Sequence, residues 1–412
     1  MTRAQNEKWD LNKCISYARE NNVDVIAAKL QKETSGEEYI KSKADLLPQV
    51  DFISGQNFSY TNSQNQGIYT GTYGVQASMD FTFGKKLNTI KQRKLEDDIA
   101  SIELEQTKDN LELSIIQAYI EILYAQEAVK SSESSLNVSR QQLERAEQLL
   151  KSGSISQVDY ALLESQTSNY EYQLVQAENT LSQTKLSLKQ LLELQQDIEI
   201  EYIDIKEEDI LVVSENVENI YRNAVGFLPQ ILSARNSIET AKLELNNAKA
   251  DFLPSISLSA GINTGNSTAN DLGLMRQLKD GFYENIGLNI SIPIYSKRNN
   301  RTNLNKAKIN IMQSENQMRS VEKQVYKTID ELHLELLNYQ SAYKAAKVNL
   351  EASQKSYELL EQQYNVGLKN TVELLTESNN LFLAKQNLLQ TKYQALIRIQ
   401  LLKYYQNQEM GL

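Results

Sequence analysis

The sequence predicts a mixed α/β membrane protein, in which long antiparallel coiled-coil helices form an α-barrel and strands contribute to a shared transmembrane β-barrel. Three observations support this fold class. The stretch KADLLPQVDFISG at 43–55 returns as KADFLPSISLSAG at 249–261, long segments lack glycine and proline, and several short segments alternate apolar and polar residues. The duplication predicts two internal structural repeats, 1–215 and 216–412.

The charge and the rare residue types exclude several function classes. The 412 residues carry 43 basic and 53 acidic side chains, a net charge of −10, so we expect no nucleic-acid partner. Cys14 and His333 are the one cysteine and the one histidine, and no phosphate-binding glycine loop or cluster of acids accompanies them. The sequence therefore predicts no enzyme, with no catalytic residue, no cofactor-binding residue and no metal site.

The beginning of the chain shows no targeting segment. Its first residues, MTRAQNEKWDL, lack the apolar h-region of a secretory signal, so a signal peptide is absent from this chain. No stretch approaches the roughly 20 apolar residues that a transmembrane helix needs. If the protein is exported, we expect this sequence to be its mature form.

Long segments without glycine or proline predict long helices. These segments are 85–151, 154–225, 297–366 and 368–410. Because helix breakers are excluded for so long, we expect helices over about 85–150 and 155–196 in the first repeat, and about 297–365 and 370–408 in the second. We also expect an N-terminal helix, a helix over about 216–250, and an equatorial segment over 197–215.

The spacing of apolar residues indicates how these helices pack. Over 115–150, apolar and small residues recur at alternating steps of three and four, the heptad spacing of a coiled coil. The same positions shifted by 214 form a matching seam over 329–364. A second stripe over 113–123 lies beside the first, so the helix has neighbours on two sides, as in a cylinder wall.

Period-two alternation predicts one β-hairpin in each repeat, over about 48–83 and 254–295. IYTGTYGVQASMDFTF at 68–83 and FYENIGLNISIPI at 282–294 place apolar residues on one face and small polar residues on the other. A soluble sandwich is the commoner source of such alternation. A hydroxyl-rich polar face with few charges nevertheless favours a membrane barrel with a wet lumen.

The number of strands predicts an oligomer. Four strands are too few to close a membrane barrel, since the smallest use about eight. The missing strands must come from other copies of the chain. We therefore expect an obligate oligomer whose barrel is shared, with Pro48 and Pro254 marking the helix-to-barrel junctions.

Several motifs resemble those of the TolC-like outer-membrane efflux proteins, the outer membrane factors of tripartite efflux and type I secretion systems. WDLNKCISYARENNVDVIAAKLQ at 9–31 is similar to the N-terminal helix signature of that family, and the repeated KAD-(L/F)-LP to its helix-to-barrel junction. SIPIYSKRNN at 291–300, MDFTFGKK at 79–86 and YNVGLKNTVELL at 364–375 resemble its strand-to-helix exits and a hairpin tip. The ordered and duplicated set spans essentially the whole chain.

The resemblance implies an exit duct. Three chains would form a homotrimer with a twelve-stranded barrel in the outer membrane of a Gram-negative bacterium and a helical tunnel extending into the periplasm. The implied partners are outer-membrane lipid, a periplasmic adaptor (membrane fusion) protein and, indirectly, an inner-membrane transporter. The acidic stretch 198–213 would form an equatorial collar, and the loop 264–281 would face outside the cell.

The resemblance also assigns the periplasmic tips of the helical hairpins. There the family docks its adaptor and constricts the tunnel entrance. The matching positions in this chain are Ser152, Gly153, Ser154, Val366, Gly367 and Leu368.

Four residues near the tips are expected to control the entrance. By resemblance, Asp159 pairs with Lys369 and Tyr364 in a latch that holds the entrance shut, and Glu373 repeats around the axis as an acidic ring. The family often has a second acid one turn later, where this chain has Thr376, so a strong double ring is not expected. The alternative is that both acids are solvated residues near helix starts, where acids are favourable.

Two other protein classes remain as alternatives to the duct. A soluble periplasmic adaptor or a coiled-coil spacer also contains long helical hairpins, but one strand hairpin per half-chain lacks the compact glycine-rich barrel pattern of an adaptor. The substrate is not specified, because a wide aqueous tunnel selects by size and charge. No Met/His cluster favours the export of soft metals.

Overall fold

The structure, a computed structural model, describes residues 8–61, 66–82, 84–196, 198–212 and 215–411. The first seven positions, part of the segment examined for a signal peptide, lie outside the described residues. The helices are α1 (Leu11–Asn21), α2 (Val23–Ala44), α3 (Lys85–Lys151), α4 (Gln157–Leu191), α5 (Val217–Phe227), α6 (Pro229–Ala250), α7 (Leu274–Asp280), α8 (Asn299–Asn365) and α9 (Thr371–Tyr405). The strands are β1 (Gln49–Thr61), β2 (Gln66–Thr82), β3 (Ser255–Ser267) and β4 (Tyr283–Ser291).

The helices of the two chain halves have matching lengths. In the first half, α1 to α4 contain 11, 22, 67 and 35 residues, and α5, α6, α8 and α9 repeat these lengths in the second. The 67-residue helices occupy the segments that lack glycine and proline. Within the part of the chain that the structure describes, no helix is both long and apolar enough to cross a membrane.

Two segments predicted as single helices are each divided in two. The helix expected over 216–250 is interrupted at Leu228, whose backbone is extended because Pro229 follows as the first residue of α6. The N-terminal helix expected over 9–31 is interrupted at Asn22, which is also extended. The Asn22 side-chain oxygen accepts a hydrogen bond of 2.9 Å from the backbone N–H of Asp24 and so caps α2.

The four strands form one antiparallel sheet in the order β1-β2-β3-β4. Its register aligns residues of the same character across the strands. Met79 pairs with Leu258, which pairs with Leu288, whereas the adjacent row begins with Ser78 paired to Ser259. A slip of one residue would place apolar side chains on the polar face. The two faces predicted from the alternation are therefore present.

The apolar face of the sheet is uncovered within the chain. Phe52 on β1 is 71% exposed and Ile286 on β4 is 83% exposed. The outer edges of β1 and β4 have no neighbouring strand in the described sheet. An apolar face and two open edges are surfaces that another medium or another chain must cover.

The sheet belongs to one of two compact units, which comprises Lys29–Glu103 and Leu232–Ser320. At its helix-to-strand junctions, Leu47 and Leu253 close the last turns of α2 and α6 with backbone hydrogen bonds of 2.8 and 3.0 Å. Pro48 and Pro254 follow and stand one residue before β1 and β3. The repeated KAD-(L/F)-LP motif thus ends a helix and starts a strand in each half.

The other unit comprises the residues up to Ala28, Leu104–Ile231 and the residues from Val321 onward. Both stripes of α3 are buried in its core. Ile115 and Ile122 of the heptad seam, and Ile116, Ile120 and Leu123 of the second stripe, are at most 2% exposed. This part of α3 therefore packs against neighbours on two sides.

The described part of the acidic stretch 198–213 belongs to this unit, and hydrogen bonds to its backbone hold it there. Ile200 forms a parallel bridge with Trp9, and the Tyr119 hydroxyl donates to the Glu201 carbonyl oxygen at 2.7 Å. The Gln340 amide donates to the carbonyl oxygen of Ile210 at 2.8 Å. The described segment is irregular apart from the bridge at Ile200 and a 3₁₀ turn at Glu207–Asp209.

Candidate functional site

The turn between α3 and α4 is a Schellman motif followed by a capping box. Gly153 has a φ of +74°, and its N–H donates to the Leu150 carbonyl oxygen at 3.0 Å. The Ser156 hydroxyl accepts from the Asp159 N–H at 3.1 Å, while the Asp159 carboxylate accepts from the Ser156 hydroxyl at 2.6 Å. Together these bonds satisfy backbone groups at the end of one helix and the start of the next.

The turn between α8 and α9 repeats this arrangement. Gly367 has a φ of +79°, and its N–H donates to the Tyr364 carbonyl oxygen at 3.0 Å. The Asn370 side chain accepts from the Glu373 N–H at 2.9 Å, and the Glu373 carboxylate accepts from the Asn370 N–H at 3.1 Å. Asp159 and Glu373 therefore occupy equivalent positions, the third residue of each capping box.

The two turns present different surfaces. Ser152, Gly153 and Ser154 are exposed and polar. Val366 and Leu368, on either side of Gly367, are 70% and 75% exposed. The second turn thus displays apolar side chains that have no cover within the chain.

The three residues expected to form the latch line one cleft of about 670 Å³. The structure does not pair them in the expected way within one chain. Asp159 is held by Ser156 and by Thr371, and these hydrogen bonds lower the pKa of its carboxyl. Lys369 forms its ion pair with Glu373, at 2.5 Å, rather than with Asp159. Among the described residues, the buried Tyr364 hydroxyl has no hydrogen-bond partner.

Glu373 has an exposed carboxylate with a lowered pKa. The Lys369 ammonium and the Asn370 N–H lower the pKa of the Glu373 carboxyl. Thr376, one turn later, donates its hydroxyl to the Val372 carbonyl oxygen at 2.8 Å. The chain therefore has a threonine, not an acid, at the position where the family often has its second acid.

A polar tie between α3 and α8, made by Gln142 and Arg145, was not identified from the sequence. Gln142 donates to the Tyr357 hydroxyl at 2.6 Å, and Arg145 donates to the Asn365 side-chain oxygen at 2.7 Å. Burial, followed by the nearby Glu361 carboxylate, raises the pKa of the Tyr357 hydroxyl. The shift of 214 residues places Gln142 next to the position equivalent to Tyr357, which was a signal for that contact. The same shift places Arg145 at the position equivalent to Leu359, six residues from Asn365, so the second contact had no such signal.

The described residues contain no group of three or more His, Cys, Asp or Glu side chains arranged to hold a metal ion. The arrangement at the tips is instead mechanical and electrostatic. Two rigid turns carry one carboxylate each, beside a cleft that is lined by polar side chains and by exposed apolar ones. Such an arrangement is suited to contacts between helical hairpins and to attracting cations.

Comparisons with known proteins agree with this arrangement. The outer membrane efflux protein family matches residues 14–193 and 221–405. The outer membrane protein TolC of Vibrio cholerae is 21% identical over 393 residues, 95% of this chain and 89% of the relative. A crystal structure of CusC superimposes with a TM-score of 0.86 at 20% identity, over 99% of this chain and 96% of that one. VceC of Vibrio cholerae superimposes with a TM-score of 0.83 at 17% identity, over 97% of each chain.

The fold, with long helical hairpins and a four-stranded antiparallel sheet, is that of an α/β outer-membrane channel. The chain belongs to the outer membrane efflux protein family. The resemblance seen in its motifs is thereby confirmed. Its relatives are outer membrane proteins of Gram-negative bacteria, and channels rather than enzymes.

The tip glycines provide a first prediction. Replacing Gly153 or Gly367 with alanine forces a side chain into the left-handed region and should lower the free energy of unfolding by about 1 kcal/mol. Gly226 is a matched control, because it lies inside α5 with no atom within 4 Å of an added Cβ. There alanine should stabilise by up to about 1 kcal/mol. Thermal melts should shift in opposite directions, and equal shifts would contradict the assignment.

Proposed function

We propose that three copies of this chain form an outer-membrane exit duct, which conducts substrates passively from the periplasm to the exterior. The observation that carries the proposal is the sheet. It offers an uncovered apolar face, a polar face in register, and two open edges. Pairing of β4 with β1 of the next copy satisfies those edges, and three copies give the twelve strands that a barrel with a wet lumen can use.

The same proposal assigns the two halves as internal repeats, 1–215 and 216–412. Their support is the matching set of helix lengths and the two equivalent tip turns. The match of the family to two separate ranges is in agreement. A trimer of two-repeat chains presents six similar helical hairpins to the tunnel entrance.

The periplasmic adaptor is the proposed partner at the hairpin tips, and an inner-membrane transporter acts through it. Support comes from the exposed Val366 and Leu368, which offer an apolar contact next to a backbone turn. The polar turn at Ser152 and Ser154 offers hydrogen-bonding groups instead. An adaptor that binds around the entrance would therefore contact the two repeats of each chain through different chemical groups.

The latch is proposed to form between neighbouring subunits. Within one chain the Asp159 carboxylate is hydrogen-bonded to Ser156 and Thr371, and the Lys369 ammonium pairs with Glu373. Both residues line the same cleft, and the Lys369–Glu373 ion pair is exposed enough to exchange. The Gln142 and Arg145 tie acts within the chain, because it joins α3 to α8 near the tips. Opening of the entrance by separation of the hairpins requires both sets of contacts to break.

The test of the duct is the mass of the full-length protein in detergent together with its conductance in planar bilayers. We expect a trimer of the 47.0 kDa chain that inserts and conducts. A monomer that is soluble without detergent contradicts the duct. In that case the alternating strands pack against one another, and an adaptor or a coiled-coil spacer becomes the better assignment.

The latch predicts a change in conductance. Asp159→Asn combined with Lys369→Gln should raise the single-channel conductance, and the addition of Arg145→Ala should raise it further. The matched control is Arg140→Gln with Glu171→Gln, which removes an exposed ion pair between α3 and α4 of one hairpin. The control should leave conductance unchanged. An unchanged conductance in the double latch variant contradicts the latch.

The ring predicts ion selectivity and its pH dependence. Glu373→Gln should lower the cation preference of the channel, with Glu331→Gln, an exposed acid on α8 more than thirty residues before the tip turn, as the control. The lowered pKa of Glu373 means that its negative charge persists in mildly acidic solution. Cation preference should therefore be retained near pH 5 and fade only below the ordinary glutamate pKa of about 4.3. Loss of preference already between pH 6 and 5 would assign it to another group.

A further inference from the structure

The residues that follow β4 have exposed side chains that change from apolar to basic along the chain. Ile292, Ile294 and Tyr295 are apolar or aromatic, and they are followed directly by Lys297, Arg298 and then Arg301. Ile294 is 95% exposed and Tyr295 is 83% exposed, although both are large side chains. We name these six residues the exit patch, because they lie where the chain leaves the sheet for α8.

The basic side chains of the exit patch are unusual for this chain. The protein carries a net charge of −10, yet residues 285–314 contain five basic residues and no acid. Among the described residues, Lys297, Arg298 and Arg301 make no ion pair. The exit patch is thus a local positive surface without a compensating charge of its own.

At the corresponding exit of the first half, before α3, the basic residues have partners within the chain. There Lys85 pairs with Asp251 at 2.5 Å, and Lys86 donates to the Asp45 carbonyl oxygen at 2.6 Å. Asp251 also accepts at its carbonyl oxygen from Asn300, at 2.6 Å, near the start of α8. The carboxylate of Asp251, a residue that contacts the start of α8, is therefore already neutralised by Lys85 of the first half.

The backbone of the exit patch also differs from that of the corresponding turn in the first half. The turn before α3 uses Gly84 at a φ of +71°, a conformation that glycine adopts without strain. The turn before α8 instead holds Lys297 at +48° and Arg298 at +69°. Two long basic side chains therefore stand at backbone positions where glycine is the less strained residue.

We propose that the exit patch binds the headgroups of anionic phospholipid in the periplasmic leaflet of the outer membrane. The order of residues matches the order of layers that a chain crosses on leaving a bilayer. Isoleucines contact acyl chains, a tyrosine lies at the interface, and lysine and arginine contact phosphate. The inference rests on the proposed duct, in which the apolar face of the sheet contacts lipid.

Distance along α8 separates the exit patch from the later lysines of this helix. Lys306, Lys308 and Lys323 lie 5, 7 and 22 residues beyond Arg301, or about 7.5, 10 and 33 Å at 1.5 Å per residue. All three lie farther along the helix from the proposed interface than the exit patch and serve as internal controls.

The test is native mass spectrometry of the full-length oligomer with equal amounts of phosphatidylglycerol and phosphatidylcholine. We expect retained phosphatidylglycerol to exceed phosphatidylcholine by at least about fivefold at low salt, and the preference to shrink in 0.5 M salt. Lys297→Gln with Arg298→Gln and Arg301→Gln should bring the ratio close to one. The charge-conserving set Lys297→Arg, Arg298→Lys and Arg301→Lys should keep the preference.

The matched control is Lys306→Gln with Lys308→Gln and Lys323→Gln, the same change of charge farther along α8. It should leave the ratio unchanged. An unchanged ratio in the exit-patch variant overturns the proposal, and so does a change in oligomer mass, which would assign the patch to a subunit contact. Bilayer conductance separates the two hypotheses, because a conducting trimer without lipid preference contradicts only this inference. A protein that does not insert contradicts both.

Discussion

The antiparallel ladder between β2 and β3 is the contact on which the sheet depends. It joins strands from the two halves of the chain through residue pairs from Thr70 with Ser267 to Thr82 with Ser255. Because these strands are far apart in sequence, their pairing carries a large loop-closure entropy, which the ladder and its apolar rows must offset. The same ladder sets the phase of both faces, and so determines that one face is apolar and the other polar. It also leaves β1 and β4 as the edges of the described sheet, which the proposed trimer would pair.

Stability along α3 is distributed unevenly, and this distribution fits a duct that opens at one end. Ile115, Ile122 and their neighbours are fully buried, which stabilises strongly because each apolar side chain contributes about 1.5–3 kcal/mol. Toward the tips the seam continues with small residues, Ser139 and Ala146, and the contact with α8 is made by polar groups. Hydrogen bonds exchange with water at a net difference of about 1 kcal/mol each. The tip contacts are therefore the ones that a partner can separate.

The acids at the tips combine two roles in one side chain. Asp159 and Glu373 each close a capping box, which fixes the start of a helix without help from another subunit. Hydrogen bonds from Ser156 and Thr371 lower the pKa of the Asp159 carboxyl. The Lys369 ammonium, followed by the Asn370 N–H, lowers the pKa of the Glu373 carboxyl, so both groups stay charged. A residue that is needed for local structure thus also displays a negative charge at the tip turn, where the tunnel entrance is proposed. These acids can therefore be both residues favoured near helix starts and the proposed gate residues, because the two interpretations are compatible.

Much of the fold was predictable because it depends on local periodicity. Glycine-free and proline-free segments predicted the long helices, heptad spacing predicted their seams, and period-two alternation predicted both faces of the sheet. Gly153 and Gly367 were recognisable as helix ends because a left-handed residue is needed there. The break at Leu228 was also encoded locally, because Pro229 disfavours a helical conformation at the residue before it.

The sequence by itself determined the element types, their repetition and the faces of the strands, because these follow from backbone sterics and side-chain polarity within one segment. Only the tertiary structure decided which side chains meet. It joined Arg145 to Asn365 and Asp159 to Thr371, and among the described residues it gave Lys297 and Arg298 no ion pair. These outcomes depend on distances of a few ångströms between segments remote in sequence. Periodicity carries no information about such distances, since many partners of suitable charge compete for each side chain.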